Sequence, residues 1–209
     1  MEELRRLEKD LAGTIRRLYA RGLVSGVGGN ASVLLSSGRE MLITPAGYFK
    51  GGVAEGDIVR VSLKGKVLGT GKPSSELPTH LAAYRLRDDV KAVVHGHPAT
   101  AVAFITAGVP LPTMTPEHSV LVRRLEIVGF ATPGERGARA VEHSLRTCDV
   151  VGIRNHGFFA LGKDLHDAAS KLEVLEESAK IYLAGKQLGT ITGLSQADVA
   201  RVRQSYGTE

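Results

Sequence analysis

Cysteine occurs once, tryptophan not at all, and aromatic residues make up only 5% of the 209 positions. Each scarcity excludes something. The lone Cys148 has no partner for an intrachain disulfide, which fits a reducing compartment, and it reads as a small buried hydrophobe. With so few rings, and none interleaved with basic residues, nothing is set out to stack nucleic-acid bases. The net charge of +5 therefore does not argue for nucleic acid. Lysines and arginines are scattered among acids and read as solvated surface with a preference for small anions. No apolar run reaches the roughly 18 residues needed to span a bilayer, and the charged start MEELRRLEKD is unlike a secretory leader. A cytoplasmic chain with no membrane contact is expected.

What is present is a composition with 43% hydrophobic and 23% charged residues, enough for one globular domain over 1–209 with a substantial core. Leu4, Leu7, Leu11, Ile15 and Leu18 lie on one face of a predicted helix that Gly22 ends. A glycine-rich loop, Gly26 to Asn30, leads to short β-type runs at 32–36, 41–44, 58–63 and 67–68, which read as hairpins. Ser74 or Ser75 is expected to cap a helix reaching Arg87. Then come a strand at 91–97, a helix at 99–107, a proline-rich loop at 109–118, a helix from Gly134 to about Thr147, and strands at 150–154 and 158–161. A long helix over 164–188 and a last one from Ser195 to about Tyr206 complete the chain. Hairpins first and helix-separated strands later predict a single-domain, three-layer α/β/α fold with a mixed, largely antiparallel central sheet.

Two glycine motifs carry no function. Gly26-x-Gly28-x-x-Ala31 matches a dinucleotide-binding pattern, but it follows a helix and precedes a strand, the reverse of what that motif needs. Gly69-Thr-Gly-Lys-Pro-Ser74 ends like a phosphate-binding P-loop, yet Lys66 stands where the first glycine belongs.

Chemistry concentrates at His95-Gly-His97-Pro98. Residues two apart on a strand share a face, so both imidazoles can bind one ion, or both can be ordinary histidines at the end of a core strand. A third ligand must come from elsewhere, and His156, in Asn155-His156-Gly157, is the best placed. Ser74-Ser75-Glu76 before a helix, and Gly28-Gly-Asn30, could each serve an anion or be plain capping and turn arrangements.

In order along the chain, Gly29-Asn30-Ala-Ser32, Thr44-Pro-Ala-Gly47, Pro73-Ser-Ser-Glu76, His95-Gly-His97-Pro98 and Asn155-His156-Gly157 resemble the class II aldolase/adducin family, most closely its fuculose-1-phosphate aldolases. The resemblance implies a site for Zn2+, or another first-row divalent metal, at His95, His97 and His156, with Glu76 a fourth ligand before substrate arrives. It implies a phosphate pocket from Asn30, Gly47, Ser74 and Ser75, and a homotetramer with active sites at subunit boundaries. The implied reaction cleaves a phosphorylated ketose to dihydroxyacetone phosphate and an aldehyde through a metal-stabilised enediolate, with Glu76 as general acid/base. Glutamate at 76, where the related 4-epimerases usually carry aspartate, favours the lyase.

Two positions depart from the pattern. Ala46 replaces a threonine that helps hold phosphate, and Pro116 stands near a proton-donating tyrosine, leaving Glu117 or His118 as candidates. Tyr206 matches a C-terminal tyrosine that closes over the aldehyde, or is an ordinary tail residue. Decarboxylation of a keto-acid phosphate, dehydration of methylthioribulose 1-phosphate and 4-epimerisation are the alternative reactions. A non-catalytic adducin-like interaction module is the alternative of another class, and the presence of all three histidines and Glu76 speaks against it. His80, one turn beyond Glu76, could orient that carboxylate or be a satisfied helix histidine.

Overall fold

The computed structural model describes residues 2–207. Seven strands form one sheet: β1 (Asn30–Leu34), β2 (Glu40–Ile43), β3 (Val59–Ser62), β4 (Ala92–Gly96), β5 (Leu125–Val128), β6 (Val150–Ile153) and β7 (Gly157–Gly162). Their order across the sheet is β3-β2-β1-β4-β7-β6-β5, and every pairing is antiparallel except the parallel β5–β6 edge. The helices are α1 (Glu2–Ala20), α2 (Leu77–Leu86), α3 (Ala99–Ala107), α4 (Pro116–Leu121), α5 (Glu135–Leu145), α6 (Leu165–Leu188) and α7 (Gln196–Ser205).

Alternation along the strands divides the core in two. On one face Val94, Phe158 and Ala160 join Leu11 and Ile15 of α1, Ile105 of α3 and Leu172 and Leu175 of α6. On the other, Val93, Phe159 and Leu161 pack with Leu81 and Tyr84 of α2 and Val141 and Leu145 of α5. This is the expected three-layer arrangement, and no described helix is long and apolar enough to cross a membrane.

Where the structure departs from the sequence reading, local causes account for it. α4 begins inside the segment read as a loop: Thr115 accepts a hydrogen bond from the His118 amide and Pro116 fills the first helical position, where a missing N–H costs nothing. α4 and the four-residue β5 are both too short to show a period. Ser74 and Ser75 do not cap α2; Glu76 occupies that position without a side-chain cap. The Ser74 amide donates to the Thr44 carbonyl, so the backbone stays extended there and the helix starts later.

A buried polar chain ties α2 to the sheet. The His80 ring lies 2.6 Å from both Asn30 Oδ1 and Ser32 Oγ, and Ser32 Oγ lies 2.6 Å from the Tyr84 hydroxyl. Burial pushes the His80 imidazolium down to about 3, so the ring is neutral and has one donor and one acceptor. Nε2–H donates to Asn30, Nδ1 accepts from Ser32, and Tyr84 donates to Ser32. His80 thus orients Asn30, not Glu76. A depressed pKa makes the His80 contribution to stability complete above about 6.5, the unfolded value, and lost as pH falls toward 3. The His80 ring is expected to stay neutral to pH 5 when its NMR shifts are followed, and a midpoint near 6.5 would disprove this burial account.

Candidate active site

The antiparallel register sets Asn30 of β1 opposite His95 of β4, and His95 opposite Phe159 of β7, on the face covered by α2. The His95 ring stacks on Phe159 with centroids 4.2 Å apart, and its Nδ1–H donates to the Phe158 carbonyl at 3.0 Å. That bond selects the tautomer and leaves Nε2 as a bare lone pair. His97 lies just past β4, its amide held by the Leu23 carbonyl at 2.7 Å. α3 follows, its start anchored by buried Glu176 of α6, which accepts from the Thr100 and Ala101 amides and the Thr100 hydroxyl. His156 sits in the tight β6–β7 turn, where Asn155 takes a left-handed φ of 56° that asparagine tolerates better than most residues.

The three rings converge. His95 Nε2 is 3.1 Å from His97 Nε2 and 3.2 Å from His156 Nε2, and Glu76 Oε1 approaches to 3.4 Å from His156 Nε2 and 3.9 Å from His95 Nε2. Burial, followed by the neighbouring imidazoles, holds His95 well below its usual range. Burial brings His97 down to about 4 and lowers His156 as well. All three are neutral at neutral pH. Glu76 is 3% exposed, and neither of its oxygens has a partner in hydrogen-bond geometry. Burial raises its carboxyl to about 7, against a weaker opposing pull from the nearby Gly134 amide and Thr79 hydroxyl. Neutral nitrogens converging beside an orphaned buried carboxylate form a donor set that could hold a divalent cation.

The cluster opens into a cavity of about 180 Å3, also lined by Gly28, Gly29, Asn30, Ala46, Gly47, Lys50, Ser74, Ser75 and Pro133. A wider cleft of about 820 Å3 beside α1 is lined by leucines and by mixed surface charges without converging donors, so size does not select the site. Two hydrogen bonds, Ala46 N–H to the Lys72 carbonyl and Ser74 N–H to the Thr44 carbonyl, fasten the Thr44–Gly47 loop to the serine loop. The structure therefore gathers His95, His97, His156, Glu76, Asn30, Gly47, Ser74 and Ser75 in one place. It does not bring Glu117 or Tyr206 there: Glu117 is exposed on the first turn of α4 and Tyr206 is 62% exposed after α7. His118 is buried, 3% exposed, and lines no part of the cavity. Sequence reasoning missed Lys50 and Pro133, which belong to no motif or period and are brought in only by chain folding.

Comparison with known proteins agrees with this geometry. Residues 9–183 match the family model described as Class II Aldolase and Adducin N-terminal domain. An L-fuculose phosphate aldolase of Methanocaldococcus jannaschii is 38% identical over 84% of this chain and 95% of its own. A 3-oxo-tetronate 4-phosphate decarboxylase of Haemophilus influenzae is 32% identical, covering 88% of this chain and 91% of its own. Among solved structures, an L-fuculose 1-phosphate aldolase superposes with a TM-score of 0.87 at 29% identity, with 96% of each chain covered.

Glycine makes the close approach possible. A Cβ at Gly157 would run into the Gly96 carbonyl and come within 2.6 Å of the His97 ring. Gly157→Ala is therefore expected to weaken divalent-metal affinity at least tenfold while leaving a cooperative unfolding transition. The check is metal titration alongside circular dichroism, and wild-type affinity in a folded variant would sink the idea.

Proposed function

The chain belongs to the class II aldolase and adducin family and is an enzyme of the lyase class, and from that premise we propose that it cleaves a phosphorylated ketose to dihydroxyacetone phosphate and an aldehyde. One observation carries the reading: three neutral imidazole nitrogens and an unpartnered buried carboxylate share a cavity with two polar loops.

His95, His97 and His156 would hold the divalent ion, with zinc favoured by the all-imidazole donor set and Glu76 completing it before substrate arrives. When bound, the ion supplies Lewis-acid stabilisation of the negative charge that develops on the ketose oxygens as the C3–C4 bond breaks. Burial raises the Glu76 carboxyl to about 7, and the group would be held as the carboxylate by a bound cation and freed for proton transfer on displacement from it by substrate. It delivers a proton to C3 in cleavage and removes it in synthesis. Asn30, Gly47, Ser74 and Ser75 hold the phosphate, the Asn30 amide being presented by the His80 chain.

Glu117 and Tyr206 lie outside the cavity of their own chain, so we assign them to the aldehyde end of a neighbouring subunit's site in a homotetramer. Exposed apolar side chains beside the cavity favour such packing: Val27 at its wall is 69% exposed, and Tyr48 and Phe49, next to Gly47, are 46% and 56% exposed. A cytoplasmic location fits a sugar-phosphate substrate. The second reading, decarboxylation of a keto-acid phosphate, rests on the Haemophilus influenzae relative and would use the same metal and phosphate groups.

The test measures metal content and dihydroxyacetone phosphate released from fuculose 1-phosphate and ribulose 1-phosphate, with and without EDTA. About one ion per chain and chelator-sensitive release are expected; metal without release, but with carbon dioxide from a 3-keto-acid phosphate, would transfer the function to the second reading. Glu76→Gln is expected to keep its fold and metal and lose about 100-fold or more in turnover, the usual scale for a general acid/base. Wild-type turnover in that variant would remove Glu76 from the mechanism.

A further inference from the structure

Lys50 is among the largest side chains of the described residues that are essentially fully buried, with 1% of its surface exposed. Its backbone amide donates to the Gly26 carbonyl at 2.8 Å, and its Nζ donates to the Pro45 carbonyl at 3.0 Å. An ammonium has three N–H donors, and one carbonyl satisfies one of them. Lys50 forms no ion pair with any described carboxylate, and desolvation lowers its proton affinity. A buried cation left this way is costly unless an anion completes it.

The side chain lines the cavity that also contains Asn30, Gly47, Ser74 and Ser75. Its carbonyl partner, Pro45, belongs to the loop that is fastened to Lys72 and pairs with Pro73, so the ammonium sits at the seam between the two phosphate loops. That seam is where Ala46 leaves the loop without a side-chain donor. We propose that Lys50 is the cationic member of the substrate-anion subsite, donating a charge-assisted hydrogen bond to the phosphate monoester and supplying the contact that Ala46 cannot make. This deepens the sugar-phosphate reading and rests on it.

The competing account is mechanical: Lys50 pins the Gly26 and Pro45 loops and never meets substrate. A carbonyl can be satisfied by a neutral donor, so the two accounts predict different behaviour for neutral replacements. Lys50→Gln keeps a donor for Pro45 without the charge, and Lys50→Met keeps the volume without either.

The experiment uses the metal-loaded full chain and inorganic phosphate as probe, followed by calorimetry and, independently, by competitive inhibition of substrate cleavage. Both variants are expected to weaken phosphate about tenfold or more and to raise KM by a similar factor. The loss in kcat should be smaller; the thermal midpoint of Lys50→Gln should be unchanged or raised because a buried charge has been removed, and that of Lys50→Met should lie below it because the Pro45 carbonyl loses its donor. Phosphate affinity within twofold of wild type in either folded variant would overturn the proposal, as would a lowered midpoint in both with unchanged affinity in the folded protein. If the wild-type chain itself fails to bind phosphate or a phosphorylated ketose, the sugar-phosphate reading falls and this assignment with it. Wild-type binding that ignores Lys50 overturns the assignment alone.

Discussion

The antiparallel register of β4 against β7 places His95 over Phe159 and next to the Phe158 carbonyl, and the rest of the site is built outward from that ring. A slip of one residue would send His95 to the opposite face, among the leucines of α1 and α6, and would scatter the donor set. The register is secured by alternation: Val94, Phe158 and Ala160 need one core, and Val93, Phe159 and Leu161 need the other. Hydrophobic burial on both faces thus determines where a polar nitrogen points. With His95 in place, the β6–β7 turn and the end of β4 have only to deliver one imidazole each.

The polar groups at this site fall into two kinds. The Asn30–His80–Ser32–Tyr84 chain is fully paired and belongs to the framework. Glu76, His95 and Lys50 are buried, His97 and His156 half-buried, and all are incompletely paired, which costs folding free energy and is the pattern expected where ligands complete the structure. The cavity thus combines imidazoles and a carboxylate with an ammonium, hydroxyls and loop backbone. A substrate bearing both chelating oxygens and a dianionic phosphate matches that combination. The fold alone would not say so, since relatives of similar identity carry aldolase and decarboxylase names.

The helices α1 and α6 were legible because each buries a stripe of apolar side chains at helical spacing, and β4, β6 and β7 were legible as short apolar runs. His95 and His97 were legible as a pair because strand geometry puts alternate residues on one face. His156 was harder, since only the family pattern, not any spacing, joins it to a pair so far away in sequence. α4 and β5 escaped because elements this short have no period to read, and the serine cap was misplaced because a cross-loop hydrogen bond, invisible in sequence, keeps Ser74 extended. Glu117 and Tyr206 carried a family position but no local physics, and one chain leaves both at its surface.

By itself the sequence determined the chemical inventory: the histidines and glutamate available to a cation, the glycines that let rings and backbone approach closely, and the alternation that makes a two-faced sheet. These are local properties of residue type and spacing. Tertiary structure alone decided which buried groups would be left unpaired, because pairing depends on which segments meet, as Asn30 and His80 do across 50 residues. It raised Glu76 to about 7 by taking water away, bound His80 to Asn30 instead of to Glu76, and carried Lys50 into the seam between two loops. Desolvation and long-range hydrogen bonding are properties of the packed chain, and no stretch of sequence contains them.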